Sequence, residues 1–208
     1  SNNNLTDNNA SNNNKRITVS SGIYMGTSSD DNTLTRNTVM NNKARGIYLE
    51  DSNSNNLTRN TVVSNNEEGI WLLHSDENSL ARNTITDNGK GIYLYCSNNN
   101  TLTGNMLLKN TNYGVYLIGS IYSQSENNLI YNNYFNNTEN IAFAPGDNMW
   151  NITKTNGTNI CGGAYLGGNY WSDYEGNDTD GDGLGDTLIP YKGRDWHPPV
   201  EPHISLNI

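Results

Sequence analysis

The sequence predicts an all-β fold: a right-handed parallel β-helix over residues 1–150, followed by a distinct C-terminal segment over 151–208. Three observations predict it. A unit of about 23 residues recurs along the chain, the period of a solenoid. Each unit holds three short runs of apolar alternation and no helical periodicity. About a fifth of the chain is Asn, much of it at fixed offsets within the unit.

The units are aligned on Leu-x-x-Asn. Leu34 to Asn37, Leu57 to Asn60, Leu80 to Asn83 and Leu102 to Asn105 each lead to a Gly-(Ile/Val)-aromatic-Leu run, and Leu129 to Asn132 opens a later unit. The glycines of those runs, with an earlier one, stand at 22, 46, 69, 91 and 114. A leucine-rich repeat has a similar period, but it needs Leu-x-x-Leu-x-Leu and usually a helical half. Asn, Thr and Gly disfavour helix. Three short strands per turn is instead a β-helix coil. Each coil buries four or five apolar side chains, such as Leu57, Val62, Ile70 and Leu72, so coils must stack to share a core. Identical residues then lie one above another at the ~4.8 Å strand spacing. Asn37, Asn60, Asn83, Asn105 and Asn132 are expected to form an amide ladder inside one turn. The repeated Gly marks unusual backbone angles or a close approach.

The net charge of −9 argues against nucleic acid, which wants a basic face, and suits an extracellular protein. No stretch approaches the ~18 apolar residues of a membrane span. The chain opens in repeat-like sequence, as a mature or excised segment would. Cys96 and Cys161 could pair if the C-terminal segment folds back, or stay as thiols. Glycosylation sequons start at Asn4, Asn9, Asn56, Asn99, Asn136, Asn151, Asn156 and Asn177.

The strongest chemical signal is a calcium loop. Asp178, Asp180 and Asp182 occupy positions 1, 3 and 5 of D-x-D-x-D-G, Leu184 offers a carbonyl at 7, and Asp186 a carboxylate at 9. Hard oxygen donors at alternating positions can converge on one Ca²⁺. Position 12 is Ile189 rather than the bidentate Glu of an EF-hand, so calcium here is a structural cofactor in a helix-free loop. A solvated acidic turn is the plain alternative.

The second signal is an outward row of rings. In Gly-Ile-Tyr-Leu the residues flanking the aromatic point inward, so Tyr24, Tyr48, Trp71, Tyr93 and Tyr116 point out, with Tyr95 in the next outward row. Such a face normally meets something. A sugar could stack on it, the C-terminal segment or another subunit could cover it, or the rings could stack on one another. Arg36, Arg59 and Arg82 form a further column, a solvated corner or a groove for an anionic polymer.

The repeats over roughly 15–150 resemble the β-helices of the NosD-type "periplasmic copper-binding" family and its carbohydrate-binding and sugar-hydrolase relatives. The stretch Gly167 to Tyr174, with the Asp178 to Asp186 loop, is similar to the ending of such repeats in archaeal cell-surface proteins. The resemblance implies the fold more strongly than an activity. Copper would need grouped His, Met or Cys, and His74, His197, His203 and the four Met are scattered. Hydrolysis would need converging carboxylates, for which Asp30-Asp31, Glu50-Asp51 and Asp76-Glu77 with His74 are the candidates. The expected function is a non-catalytic extracellular or cell-surface module with structural calcium that is structural or self-assembling, as in a surface layer, sheath or filament, its partner itself (as a homo-oligomer or filament) or a surface polysaccharide. Carbohydrate binding, polysaccharide cleavage and copper binding are the alternatives.

Overall fold

A computed structural model of the chain describes residues 2–13, 20–143 and 146–201. Three parallel sheets run the length of a solenoid. The first has six strands, Asn4–Thr6, Thr33–Thr35, Asn56–Thr58, Ser79–Ala81, Thr101–Thr103 and Leu129–Tyr131. The second has seven, Asn9–Ser11, Thr38–Met40, Thr61–Val63, Thr84–Thr86, Met106–Leu108, Tyr134–Asn136 and Tyr170–Trp171. The third has six, Ile23–Met25, Ile47–Glu50, Glu68–Leu73, Lys90–Tyr95, Tyr113–Ile118 and Glu139–Phe143.

Like residues pair with like across the coils: Leu34 with Leu57, Leu57 with Leu80, and Leu80 with Leu102. The first-sheet leucines, Val39, Val62 and Ile85 from the second, and Ile47, Leu49, Ile70, Leu72, Ile92 and Leu94 from the third form one apolar column. Removing that apolar surface from water is the main driving force available to so polar a chain.

The repeated glycines owe their identity to close approach. A Cβ on Gly46 would lie 2.5 Å from the Gly69 carbonyl oxygen, and one on Gly91 would lie 2.5 Å from that of Gly114. Left-handed backbone angles fall elsewhere, at the turns, among them the one between the first and second sheets. Arg36, Arg59, Arg82, Gly104 and Asn132 all have φ between 55° and 66° there. The arginine column is thus one side of a turn position that Gly and Asn fill more comfortably. Arg36 forms a two-bond pair with Asp7 at 2.8 and 2.7 Å.

Ladder positions hold the turns. Asn60 Nδ2 donates to Asn83 Oδ1 at 3.0 Å and to the Leu34 carbonyl at 2.9 Å, while Asn60 N also donates to Asn83 Oδ1 at 2.9 Å. The ladder runs Asn8, Asn37, Asn60, Asn83, Asn105, Asn133 and Asn169. Asn133 takes the place expected for Asn132. Leu102 pairs with Ile130 rather than Leu129, so the last unit is shifted by one residue and Asn132 falls in the left-handed column. Two further ladders flank this one, Asn32-Asn55-Asn78-Asn100-Asn128-Asn148 and Asn42-Asn65-Asn88-Asn110-Asn137.

The chain beyond the last full coil closes over its end. Trp171 stacks on Phe135 at 4.6 Å and on Tyr191 at 4.9 Å, with Trp150 at 5.9 Å. Asp195, 1% exposed, fastens this cluster. Its carboxylate accepts from Asn169 N, Trp171 Nε1 and His197 N at 2.7, 2.9 and 3.0 Å. Burial outweighs these donors and pushes its pKa up to about 6. Met149 adds a bridge to Leu129 in the first sheet, and Arg194 lies 4.1 Å over the Phe143 ring at the end of the third.

Candidate functional site

Strand spacing places the outward rings face to face. Centroids are 5.2 Å apart for Tyr24 and Tyr48, 4.7 Å for Tyr48 and Trp71, 5.5 Å for Trp71 and Tyr93, and 5.2 Å for Tyr93 and Tyr116. Tyr95 meets Tyr93 edge-on at 6.3 Å. Charged side chains cover the column. The Arg45 guanidinium lies 4.0 Å from the Trp71 ring, and Lys90 lies 4.9 Å from that of Tyr93. Glu68 joins them, 3.3 Å from Arg45 Nε and 3.0 Å from Lys90 Nζ. Burial holds the Tyr93 phenol up at about 12 and raises that of Tyr48 as well. A hydrogen bond to Glu50 raises that of Tyr24. Ring faces that stack on one another are closed to a sugar, and the C-terminal segment packs on the end of the last coil instead of along this face. Sequence reasoning found the rings but missed Arg45, Glu68 and Lys90. The register Glu68–Lys90–Tyr113, beside the aromatic row, was the available signal.

In the acidic loop, Asp178, Asp180 and Asp186 bring carboxylate oxygens within 4.8 Å of one another. Backbone amides shape the loop. Gly181 N and Gly183 N donate to the two Asp178 oxygens, each at 2.7 Å, with both glycines at positive φ. Thr179 donates to Asp186 through Oγ1 at 2.6 Å and N at 2.7 Å, which lowers its pKa. Asp182 departs from the expected set: its carboxylate pairs with Lys154. Leu184 is buried and bridges Pro199. Three hard oxygen donors suit Ca²⁺, while the Lys154 ammonium competes for part of the same charge.

Two of the acids considered for hydrolysis, Asp30 and Asp76, serve the backbone. Asp30 Oδ1 accepts from Asn53 N, Asn53 Oδ1 from Asp76 N, Asp76 Oδ1 from Asn98 N and Asn98 Oδ1 from Glu126 N, at 2.6–2.9 Å. Asp31, Asp51, His74 and Glu77 are left-handed turn residues, and His74 Nδ1 lies 3.6 Å from Asp51. Cys96 and Cys161 are free thiols rather than a disulfide. Asn4, Asn9, Asn56, Asn99, Asn136, Asn156 and Asn177 are exposed, and Asn151 is half-buried.

Solved structures with this fold include the periplasmic alginate epimerase AlgG. Its crystal structure gives a TM-score of 0.58 at 20% identity, covering 70% of this chain and 39% of that one. A point mutant of AlgG gives 0.60 at 21% identity over the same shares. The chain thus spans well under half of the epimerase, and the likeness is one of fold. No curated relative matches the sequence.

The family whose model matches residues 1–176 is described as "Periplasmic copper-binding protein (NosD)". A copper site asks for grouped His, Cys or Met. Among the described residues the three-aspartate loop is the one such cluster of His, Cys, Asp and Glu, and His203 lies outside them. Burial pushes the Cys161 thiol up to about 12, away from the thiolate a metal needs. These residues do not fit copper. The match covers most of the sequence, and this chain belongs to the NosD family of β-helix proteins, whose description agrees with a place in the cell envelope.

Proposed function

We propose that the chain is a non-catalytic structural module of the cell surface, which pairs with a second copy at its N-terminal end and is fastened by calcium at the other. The strand edges at its N-terminal end carry this reading. At the C-terminal end, Met149 bridges Leu129 in the first sheet, Tyr170–Trp171 adds a strand to the second, and the Arg194 guanidinium lies over the Phe143 ring of the third. At the N-terminal end, Asn4–Thr6, Asn9–Ser11 and Ile23–Met25 each have a strand on one side only among the described residues.

Thr33 N bonds the Asn3 carbonyl and Asp7 N bonds the Thr35 carbonyl. By the alternation of a strand, the backbone groups of Asn4 and Thr6 face the open edge, and those of Asn9 and Ser11 do so in the second sheet. Such edges invite pairing. Two copies that meet edge to edge there form a closed two-fold pair. Proline at Ser11 removes an edge donor while sparing the amides that bond the next coil. Sedimentation equilibrium of Ser11→Pro should give a monomer where the parent gives a dimer. Equal masses would count against the edge as the contact.

Calcium enters this reading through the convergence of Asp178, Asp180 and Asp186. At a free concentration 100 times Kd, a native-state ligand stabilises by about 2.7 kcal/mol. Calcium should therefore raise the melting temperature of the parent protein and not that of Asp178→Asn. Equal melting with calcium or chelator would remove the ion from the account.

A further inference from the structure

From the loop at residues 119–127 we infer a binding site for neutral or amino sugars, separate from the stacked ring column and independent of how copies associate. This loop is where one coil is longer than its neighbours, and it is built to hold its shape. Tyr122 N and Ser123 N both donate to Ser120 Oγ at 3.1 Å, Ser120 N donates to the Ser123 carbonyl at 2.7 Å, and Gln124 Nε2 donates to the Ser120 carbonyl at 2.7 Å. The Cys96 thiol donates to the Ser123 carbonyl from below at 3.2 Å. A Cβ on Gly119 would lie 2.2 Å from that same carbonyl oxygen, so glycine lets the loop close.

The loop holds apolar side chains away from the core. Tyr122 is 92% exposed and Ile121 86%. Beneath them is a cleft of about 480 Å³, lined by Asp76, Asn98 and Asn99 together with the loop itself, Glu126 and Asn127 included. One oxygen each of Asp76 and Asn98 serves the turn ladder. The second Asp76 oxygen and the Glu126 carboxylate are acceptors, and the amides of Asn98, Asn99 and Asn127 add donors beside them. An aromatic ring with a free face beside these groups suits a sugar: its C–H face lies on the ring and its hydroxyls bond to carboxylates and amides. Rigid loops on a repetitive scaffold are common places for such sites. The charges choose the class. Asp76 and Glu126 line the cleft and no Lys or Arg does, which favours neutral or amino sugars over acidic ones.

The test is calorimetric titration of the whole chain with hexamers of β-1,4-linked glucose, N-acetylglucosamine and glucosamine, and with a galacturonic acid hexamer as the anionic probe. At least one of the first three should bind, and the anionic hexamer should bind at least tenfold more weakly. Tyr122→Ala should weaken binding tenfold or more with no change in melting temperature, since the ring is exposed. Trp71→Phe should leave affinity unchanged. No binding of the first three, preference for the anionic hexamer, or full affinity in Tyr122→Ala overturns the site. So does a change in particle mass on Tyr122→Ala, which would make the loop tip a protein contact.

Discussion

Asn83→Ala is expected to destabilise the rod by about 3–5 kcal/mol, as much as removing a large core side chain. Asn83 is fully buried in the middle of the central ladder. Its Oδ1 accepts from Asn60 N and Asn60 Nδ2, and its Nδ2 donates to the Leu57 carbonyl and to Asn105 Oδ1. Alanine leaves two donors and a carbonyl without partners where water does not reach. Each such group costs about 1–3 kcal/mol. Asn56→Ala is the control, because Asn56 is exposed, and it should change stability by less than about 0.5 kcal/mol. Chemical denaturation measures both. Similar small losses for the two variants would mean that the ladders are not what holds the turns.

Trp171→Ala is expected to cost about 3–5 kcal/mol, lost first from the C-terminal segment. The indole is 2% exposed, packed between Phe135 and Tyr191, and it gives Asp195 one of its donors. Its removal opens a cavity and also strips a donor from a buried carboxylate. In a stack where each coil touches only its neighbours, the loss begins at the end it uncovers. The near-UV dichroism of the aromatic cluster should therefore vanish at lower denaturant than the far-UV signal of the sheets. A single transition unchanged from the parent would show that the end cluster adds little.

Much of this architecture was legible because a solenoid writes its register into the sequence. The step between Leu57 and Leu80 is the step between coils, and the two residues pair. The frame slipped at Leu129-Ile130, where two adjacent apolar residues and the adjacent pair Asn132-Asn133 allowed either register. The pairing of Leu102 with Ile130 resolves it and places Asn133 in the ladder. Two of the three ladders were equally visible, as Asn55, Asn78 and Asn100 and as Asn65, Asn88 and Asn110, but alignment on Leu-x-x-Asn drew attention to one.

The fate of the aromatic row was harder to read. Period alone shows that Tyr48, Trp71 and Tyr93 share a face, and not whether their rings lie parallel and close against each other. Nor does it show that Arg45 and Lys90 fold over them, since those contacts depend on side-chain direction. At the acidic loop the spacing of Asp178, Asp180 and Asp186 was readable locally. The pairing of Asp182 with Lys154 was not, because Lys154 arrives from a part of the chain with no repeat to align it.

The proposal that this module pairs through its N-terminal edge meets its most direct test in the mass of the particle in solution. Light scattering on the 23.0 kDa chain, with calcium and then with chelator, should give twice that mass in both conditions, because the acidic loop lies at the far end. A monomer in both conditions, or an open-ended series of larger particles, would contradict it.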